Sequence, residues 1–273
     1  MFENITNGSF EIEKTIHYTL SIQVSLDGFS FVVFDSLNNC VVAHKTTPLK
    51  ISSENLIVRH LKDWLESESI LKKHFGNIRI FVFTETFTLI PEDFSNDISP
   101  EILNSLLFSE DAKTELNENK ITDLNARLVF PVQSDFNGLL NQFFYNSVKE
   151  IIHPVSVVLS KPIEHKKKNK AVIITTRKFF YLVIFRNGKL LLSNSFQYLQ
   201  PADLVYNVLN SFNVLKTSRN ETELFVFGAI QENTEIENLL QPHFNHISKL
   251  KTSQCIENHE NLNETLQLFL SII

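Results

Sequence analysis

Asp27 and Gly28 are the first residues of the chain whose types suggest chemistry. They lie between two apolar runs, LSIQV at 20–24 and FVVFD at 31–35. A glycine lets backbone N–H groups approach anionic oxygens, and a neighbouring carboxylate can bind Mg²⁺. Asp-Gly is equally the preferred pair of a two-residue type I′ hairpin turn. We favour the plain turn, because loops that surround phosphates usually need glycine and the chain has only six.

Glu85 and a histidine pair also have ligand chemistry. Glu85 follows the apolar run IFVF at 80–83, and the carboxyl end of a central strand is a common place for a catalytic acid. A solvent-facing glutamate is nevertheless the commoner outcome. His243 and His246 could meet on one helical face, but two histidines without a third ligand make a poor metal site. We therefore predict no metal site.

Composition and charge limit the class of protein. The chain has 273 residues, of which 43% are hydrophobic, and a net charge of -6. These values are typical of a globular protein, and the acidic balance disfavours nucleic acid and anionic membranes as partners. No basic segment followed by an apolar run begins the chain, and no apolar stretch reaches about 18 residues. We expect a cytoplasmic protein that binds another protein, with no nucleic acid and no membrane; its oligomeric state is not readable from the sequence.

The sequence repeats itself in two halves. Four pairs of segments match in the same order: LSIQV (20–24) with AVIIT (171–175), FVVFD (31–35) with LVIFR (182–186), LIVRHLKDW (56–64) with LVYNVLNSF (204–212), and IFVFT (80–84) with LFVFG (224–228). The turns Asn38-Asn39 and Asn187-Gly188 also correspond, and Asn-Gly is a strong hairpin signal. Each half therefore predicts a hairpin, a third strand, a helix and a buried parallel strand.

This arrangement resembles the ribonuclease-H-like fold, and two such units in tandem resemble the actin, Hsp70 and sugar-kinase superfamily. LSIQVSLDGFSF (20–31), TLIPEDF (88–94) and LVFPVQ (128–133) resemble an uncharacterised Bacteroidetes family of unknown function with an actin-like ATPase fold. The resemblance implies an α/β fold of two ribonuclease-H-like units, each a mixed sheet that starts with three antiparallel strands and has helices on its faces. It implies no activity.

The domain boundaries follow from the repeat and from the sequence outside it. We predict a first half at 15–160, a linker at 161–169 and a second half at 170–273. An insertion in the first half, at about 86–128, resembles the inserted subdomains of bacterial actin-like proteins of pilus assembly and cell division. Its apolar residues are expected to pack on their own lobe or, alternatively, to form a docking face: Leu103, Leu106, Leu107 and Phe108. The basic run KPIEHKKKNK (161–170) is expected to be solvated.

The resemblance also implies where a nucleotide would bind. In the actin-like superfamily two glycine-bearing turns hold the phosphates of ATP, and each turn carries an aspartate that organises magnesium and water. Aligned on the first strand, Ser25 stands in place of that aspartate and Asp27 in place of the glycine. Gly28 and Ser30 come one step late.

The second turn departs further from the pattern of the superfamily. Thr176 stands in place of the acid, and Arg177 and Lys178 follow where glycine is expected. At the adenosine position, Gly228 is followed by Ala229, which leaves one glycine of the expected pair.

Two functions compete on these residues. The favoured one is a non-catalytic binding or scaffolding protein without a cofactor. The alternative is a divergent ATPase or kinase that binds Mg-ATP, with Asp27 and Glu85 as carboxylates. The residues around its nucleotide would be Ser25, Gly28, Ser30, Thr176, Arg177 and Gly228. Nuclease activity is disfavoured, because Ser25 and Thr176 stand where the fold needs acids.

Overall fold

The computed structural model describes residues 5–6, 10–94, 102–103, 114–145, 147–160, 169–228 and 230–248. Residues 161–168 of the predicted linker, Leu106, Leu107 and Phe108 lie outside this part of the chain. The described residues form two compact units, the first ending at Ser156 and the second beginning at Val157. None of the helices in this part of the chain has the length and apolarity needed to cross a membrane.

Within the described ranges up to Ser160, nine strands and three α-helices of seven or more residues are present, and the last helix continues from the first unit into the second. In chain order the elements are β1 (Ile5–Thr6), β2 (Tyr18–Ser25), β3 (Gly28–Asp35), β4 (Cys40–Pro48), α1 (Ile57–Ser67), β5 (Asn77–Val82), β6 (Thr88–Pro91), β7 (Thr114–Ile121), β8 (Ala126–Gln133), α2 (Ser134–Phe143), β9 (Val148–Ile152) and α3 (Pro154–Ser160). Short 3-10 helices occur at Ile12–His17, Glu54–Leu56, Glu92–Phe94 and Thr122–Leu124.

The main sheet of the first unit has the strand order β1-β4-β3-β2-β5-β9. Strands β2, β3 and β4 form an antiparallel meander, whereas β5 runs parallel to both β2 and β9. Helix α1 buries an apolar stripe of the kind expected for a helix that lies on a sheet: Ile57, Val58, Leu61, Trp64 and Leu65. The unit therefore contains the predicted three-strand start followed by a helix and a parallel strand.

A separate antiparallel sheet, in the order β6-β8-β7, is inserted between β5 and α2. Its last strand continues to Gln133. The inserted sheet thus continues past the predicted boundary near residue 128, because the segment LVFPVQ (128–133) lies within β8.

After α3, the described part of the second unit, which ends at residue 248, has five strands and two helices. They are β10 (Asn169–Thr175), β11 (Phe179–Arg186), β12 (Lys189–Gln197), α4 (Pro201–Val214), β13 (Thr222–Phe227), α5 (Ile230–Leu240) and β14 (His246–Ser248). The sheet order is β12-β11-β10-β13-β14. Asn187 and Gly188 have φ angles of 50° and 78°, as a type I′ turn requires. The predicted Asn-Gly hairpin is therefore present.

The two sheets share their strand order and their irregularities. Strands β2, β3, β4, β5 and β9 of the first sheet correspond in turn to β10, β11, β12, β13 and β14 of the second. Numbered one to five in this way, both sheets have the order third, second, first, fourth, fifth, and β1 is an additional strand of the first sheet. A β-bulge interrupts the pairing between Val33 and Phe34 in one unit and between Ile184 and Phe185 in the other. These positions differ by the offset that relates FVVFD to LVIFR. An equivalent bulge in both halves supports the predicted duplication, because bulges are specific features of a strand pair.

The predicted match between the fourth strands is displaced by two residues. Ile22 pairs with Ile80, whereas the equivalent Ile173 pairs with Val226. Ile80 therefore corresponds to Val226 and not to Leu224. A displacement of two keeps every side chain on its own face of the sheet, so the apolar pattern alone did not reveal it.

Candidate functional site

The first hairpin turn is centred on Leu26 and Asp27. Ser25 pairs with Gly28 at the end of the β2–β3 ladder, which leaves two residues in the loop. Only Gly28 has a positive φ, at 124°, whereas a type I′ turn needs positive φ at both loop residues. The predicted tight turn is present but its predicted type is wrong, because Gly28 is the first residue of β3 rather than part of the loop.

Gly28 is needed where the backbone of another segment comes close. A Cβ atom at this position would lie 2.2 Å from the Thr47 carbonyl oxygen and 2.6 Å from the Leu49 nitrogen. The same segment is tied to the loop by hydrogen bonds from Leu49 N–H to the Asp27 carbonyl (2.9 Å) and from Ile51 N–H to the Leu26 carbonyl (2.9 Å). Chain packing accounts for this glycine without a ligand.

Two serines of the first hairpin, the candidates Ser25 and Ser30, form hydrogen bonds inside it. The Ser25 Oγ donates to the Gly28 carbonyl (3.2 Å) and accepts the Asp27 N–H (3.1 Å). The Ser30 hydroxyl donates to Gln23 Oε1 across the strand pair at 3.4 Å. Both serines are buried. The hydroxyl that stands in place of the superfamily's aspartate therefore closes its own turn.

The second turn repeats this pattern with different residues. Thr176 N–H donates to the Phe179 carbonyl (2.8 Å), and the Thr176 hydroxyl both donates to that carbonyl (2.7 Å) and accepts the Phe179 N–H (3.2 Å). Arg177 and Lys178 form the loop. The Lys178 carbonyl accepts the N–H of Tyr198 (3.1 Å), just as Asp27 accepts that of Leu49. Ser25 and Thr176 thus occupy equivalent positions.

The carboxyl ends of the parallel strands lie beside each turn. In the first unit, Phe83 N–H donates to the Val24 carbonyl (3.0 Å). This bond places half-buried Glu85 at the same end of the sheet as half-buried Asp27, the end where the parallel strands finish. In the second unit, the Thr175 hydroxyl donates to the Phe227 carbonyl (3.0 Å). Gly228, with φ 150°, follows directly and is buried.

The candidate residues consequently fall into two sets, one in each sheet, at the end where the parallel strands finish. Ser25, Asp27, Gly28 and Glu85 belong to the first set, with Ser30 two residues further into β3; Thr176, Arg177 and Gly228 belong to the second. Phe180, next to the second turn, is buried in the core of its unit and stacks on Phe196 with ring centroids 5.4 Å apart.

The histidine pair does not share a helix. Helix α5 ends at Leu240; His243 lies in the turn that follows, where its N–H donates to the Leu240 carbonyl (2.9 Å), and His246 begins β14. The disfavoured alternative of a common helical face is therefore wrong, since both histidines follow the end of the helix. Within the described ranges, no three histidine, cysteine, aspartate or glutamate side chains are grouped closely enough to hold a metal ion.

His153 is a buried polar residue that the sequence analysis did not single out. It is fully buried at the end of β9, and burial lowers its pKa from 6.5 to about 3, against the opposing effect of a hydrogen bond with the Thr84 carbonyl. The neutral ring has Nε2 3.3 Å from that carbonyl oxygen, while Nδ1 accepts the Val155 N–H at 3.3 Å. Through this contact His153 holds the backbone of Thr84, the residue directly before Glu85. Its only sequence signal is a histidine directly after an apolar strand and before Pro154.

Comparison with known proteins places the chain. Residues 7–247 match the model of a family described as protein of unknown function, DUF3822. A Bacteroides thetaiotaomicron VPI-5482 protein with an actin-like ATPase fold and unknown function is similar at TM-score 0.79 and 20% identity, over 97% of this chain and 99% of that chain. No protein of curated function is significantly similar in sequence.

Two more distant structures share the fold. The PilM-PilN type IV pilus biogenesis complex is similar at TM-score 0.61 and 10% identity, over 94% of this chain and 98% of that chain. The ethanolamine utilization protein EutJ from Carboxydothermus hydrogenoformans is similar at TM-score 0.51 and 8% identity, over 97% and 92%. Identities this low establish the fold alone, and they confirm the predicted actin-like arrangement. With the family match covering most of its length, the chain belongs to the DUF3822 family of proteins of unknown function and has an actin-like ATPase fold.

Proposed function

We propose that this protein is a non-catalytic member of the actin-like fold class that binds another protein. One observation carries the proposal: both hairpin turns are closed by hydroxyl groups. Ser25 and Thr176 stand where a nucleotide-binding relative would have carboxylates, and their oxygens bond to the turns' own carbonyls. A neutral hydroxyl that already donates its proton is a weak substitute for a carboxylate as a magnesium ligand.

The backbone amides of the turns support the same conclusion. A phosphate-binding turn directs N–H groups at anionic oxygens. Here the Asp27 N–H donates to the Ser25 hydroxyl and the Phe179 N–H donates to the Thr176 hydroxyl. Phosphoryl transfer needs several such donors together with a metal, and these two amides are already used inside the protein.

A similar structure supports a protein partner. The PilM-PilN type IV pilus biogenesis complex shows that a chain of this fold can take part in an assembly of two proteins. Fold similarity alone does not transfer a partner, so the proposal for this chain remains protein binding without a named ligand. No cofactor is expected.

A divergent ATP-binding protein is the alternative, and one observation favours it. Asp27 and Glu85 lie at the end of the first sheet where its parallel strands finish, and both carboxylates could share a magnesium ion there. Arg177 and Gly228 lie at the corresponding end of the second sheet. This function requires ATP binding that depends on magnesium and on Asp27.

Calorimetric titration with ATP, with and without magnesium, separates the two functions. The proposal predicts no binding heat at millimolar ATP and no release of phosphate. The variants Asp27→Ala and Glu85→Ala are compared with Asp123→Ala, which removes an exposed carboxylate from the inserted sheet. Magnesium-dependent binding that weakens about tenfold or more in the first two variants, but not in the third, would establish the alternative instead.

A further inference from the structure

Strand β12 forms one edge of the sheet in the second unit. It pairs with β11 on one side, and among the described residues no strand pairs with its other side. From Leu190 to Gln197 the strand carries no charge and no proline. Natural edge strands are normally protected by charges, prolines or covering segments, because an open edge pairs readily with another strand.

The equivalent strand of the first unit is covered. Strand β1 pairs antiparallel with β4, with Ile5 opposite His44 and Thr6 opposite Ala43. By the shared bulge, Ala43 corresponds to Leu192 and His44 to Ser193. Ala43 is 1% exposed and His44 5% exposed, whereas Leu192 and Ser193 are only half-buried. One edge of this duplicated fold therefore has its additional strand and the other lacks it in the described part of the chain.

The covered strand also carries the protection that β12 lacks. Lys45 of β4 corresponds to Asn194 of β12, and Pro48 corresponds to Gln197. The proline difference favours pairing at β12, since a proline has no N–H to donate to a further strand. Lys45 forms an ion pair with Glu68 at 2.6 Å, so its charge is neutralised within the first unit.

The open side of β12 presents a regular set of backbone groups. Tyr198 N–H donates to the Lys178 carbonyl, so residues in the same phase as Tyr198 direct their backbone groups towards β11. Antiparallel ladders alternate, so Ser193 and Ser195 direct theirs outwards. The Ser193 hydroxyl is buried and has no hydrogen-bond partner among the described residues.

We infer that this edge pairs with the same edge of a second copy of the chain, in an antiparallel arrangement about a two-fold axis. The chemistry of the strand selects its own copy, because a two-fold axis at Asn194 sets Ser193 opposite Ser195 of the second copy. It also sets Leu192 opposite Phe196 of the second copy, an apolar pair that occurs twice. No like charges meet along the ladder, and two-fold dimers are the commonest oligomers.

Exposed Leu199 extends the apolar part of this surface. It follows β12 by two residues and is 96% exposed. Its side chain adds apolar area just after the uncharged segment 190–197. The pairing would join two five-stranded sheets into one continuous sheet, independently of whether the protein binds ATP.

Sedimentation velocity of the full chain tests the inference. At a protein concentration of about 100 µM the wild type is expected to sediment as a dimer, with twice the 31.5 kDa mass of the chain. Asn194→Lys places two lysines opposite each other on the two-fold axis and should weaken dimerisation at least about tenfold. Asn194 is exposed, and the equivalent position of β4 already holds a lysine, so the variant should fold.

Two comparisons make the test specific to this edge. Asn210→Lys introduces the same charge at an exposed position of α4 and should leave the dimer intact. Asn194→Asp should also dissociate the dimer, and mixing it with Asn194→Lys should restore association through opposite charges. A monomeric wild type at about 100 µM would overturn the inference, whatever else covers β12. An Asn194→Lys variant that still dimerises like the wild type, or a mixture of the two variants that fails to associate, would overturn it as well.

Discussion

At the residue scale, Gly28 and Phe179 occupy equivalent positions directly after a hairpin turn. Only the first requires glycine, because β4 and the segment after it approach Gly28 to within the distance of a Cβ atom. Phe179 meets no such constraint, and its φ is negative. The glycine that first suggested a phosphate-binding loop is thus explained by the packing of Thr47 and Leu49.

Gly28→Ala is expected to destabilise the protein by about 2–4 kcal/mol, because it adds a clash with backbone atoms to a strained positive φ. Urea unfolding measures this change in the free energy of unfolding. Gly138→Ala in α2 is the matched control: apart from its neighbours in the helix, no described atom lies within 4 Å of its Cβ position, and alanine there should stabilise by about 0.5–1 kcal/mol. An unchanged stability of Gly28→Ala would contradict the packing explanation and return the glycine to ligand binding.

His153 gives the same scale a pH dependence. Burial holds its pKa at about 3 in the folded protein, against 6.5 for an ordinary histidine. The unfolded chain therefore binds a proton below pH 6.5 that the folded protein does not accept. The stability that the neutral ring contributes is fully present above about pH 6.5 and is lost as the pH falls towards about 3, at up to about 1.4 kcal/mol per pH unit.

His153→Gln is expected to remove this part of the pH dependence. The free energy of unfolding should fall less steeply between about pH 6 and pH 4 in the variant than in the wild type. His246→Gln, which changes an exposed histidine, should keep the wild-type slope. Equal slopes for His153→Gln and the wild type would show that His153 is not the buried neutral group described above.

At the element scale, Asn119 of β7 links the inserted sheet to the end of the main-sheet strand β9. The Asn119 Oδ1 accepts the His153 N–H at 2.8 Å, and its Nδ2 donates to the Ile151 carbonyl at 2.8 Å. The ring of His153 also lies 5.2 Å from that of Phe130 in β8. These contacts join the inserted strands to the end of β9, beside the end of the sheet that carries Glu85.

Asn119→Ala should cost about 2–4 kcal/mol, since it leaves one backbone N–H and one carbonyl without their partner. Asn117→Ala is its control: it lies two residues earlier on β7, and its Nδ2 has no hydrogen-bond partner within the described residues. Chemical denaturation compares the two, and hydrogen exchange at the amide of His153 reports the local effect. Equal losses in both variants would mean that Asn119 does not anchor the inserted sheet.

At the scale of the whole molecule, duplication places two versions of each feature in one chain. Both hairpin turns have a hydroxyl that donates to the carbonyl closing the turn while the other residues in them changed, so the fold does not depend on the groups that a nucleotide would need. The edge strands kept their bulge but diverged in Lys45 and Pro48, which β12 lacks. The ATP titration tests the first divergence and the Asn194→Lys dimer experiment the second, and either can fail without the other.

The sequence by itself indicated the duplication, the order of three strands, a helix and a parallel strand in each half, and the Asn187-Gly188 turn, and it supported the actin-like fold that the comparisons confirm. These features depend on periodicity and on turn residues, which neighbours in the chain specify locally. The tertiary structure alone decided that Gly28 packs against Thr47, that the fourth strands shift by two residues, and that His153 is buried and neutral. Each of these depends on segments far apart in the chain, whose meeting no local pattern encodes. The same reason separates the candidate residues: their types are written in the sequence, but only the folded chain shows that Ser25 and Thr176 spend their hydroxyls on closing turns.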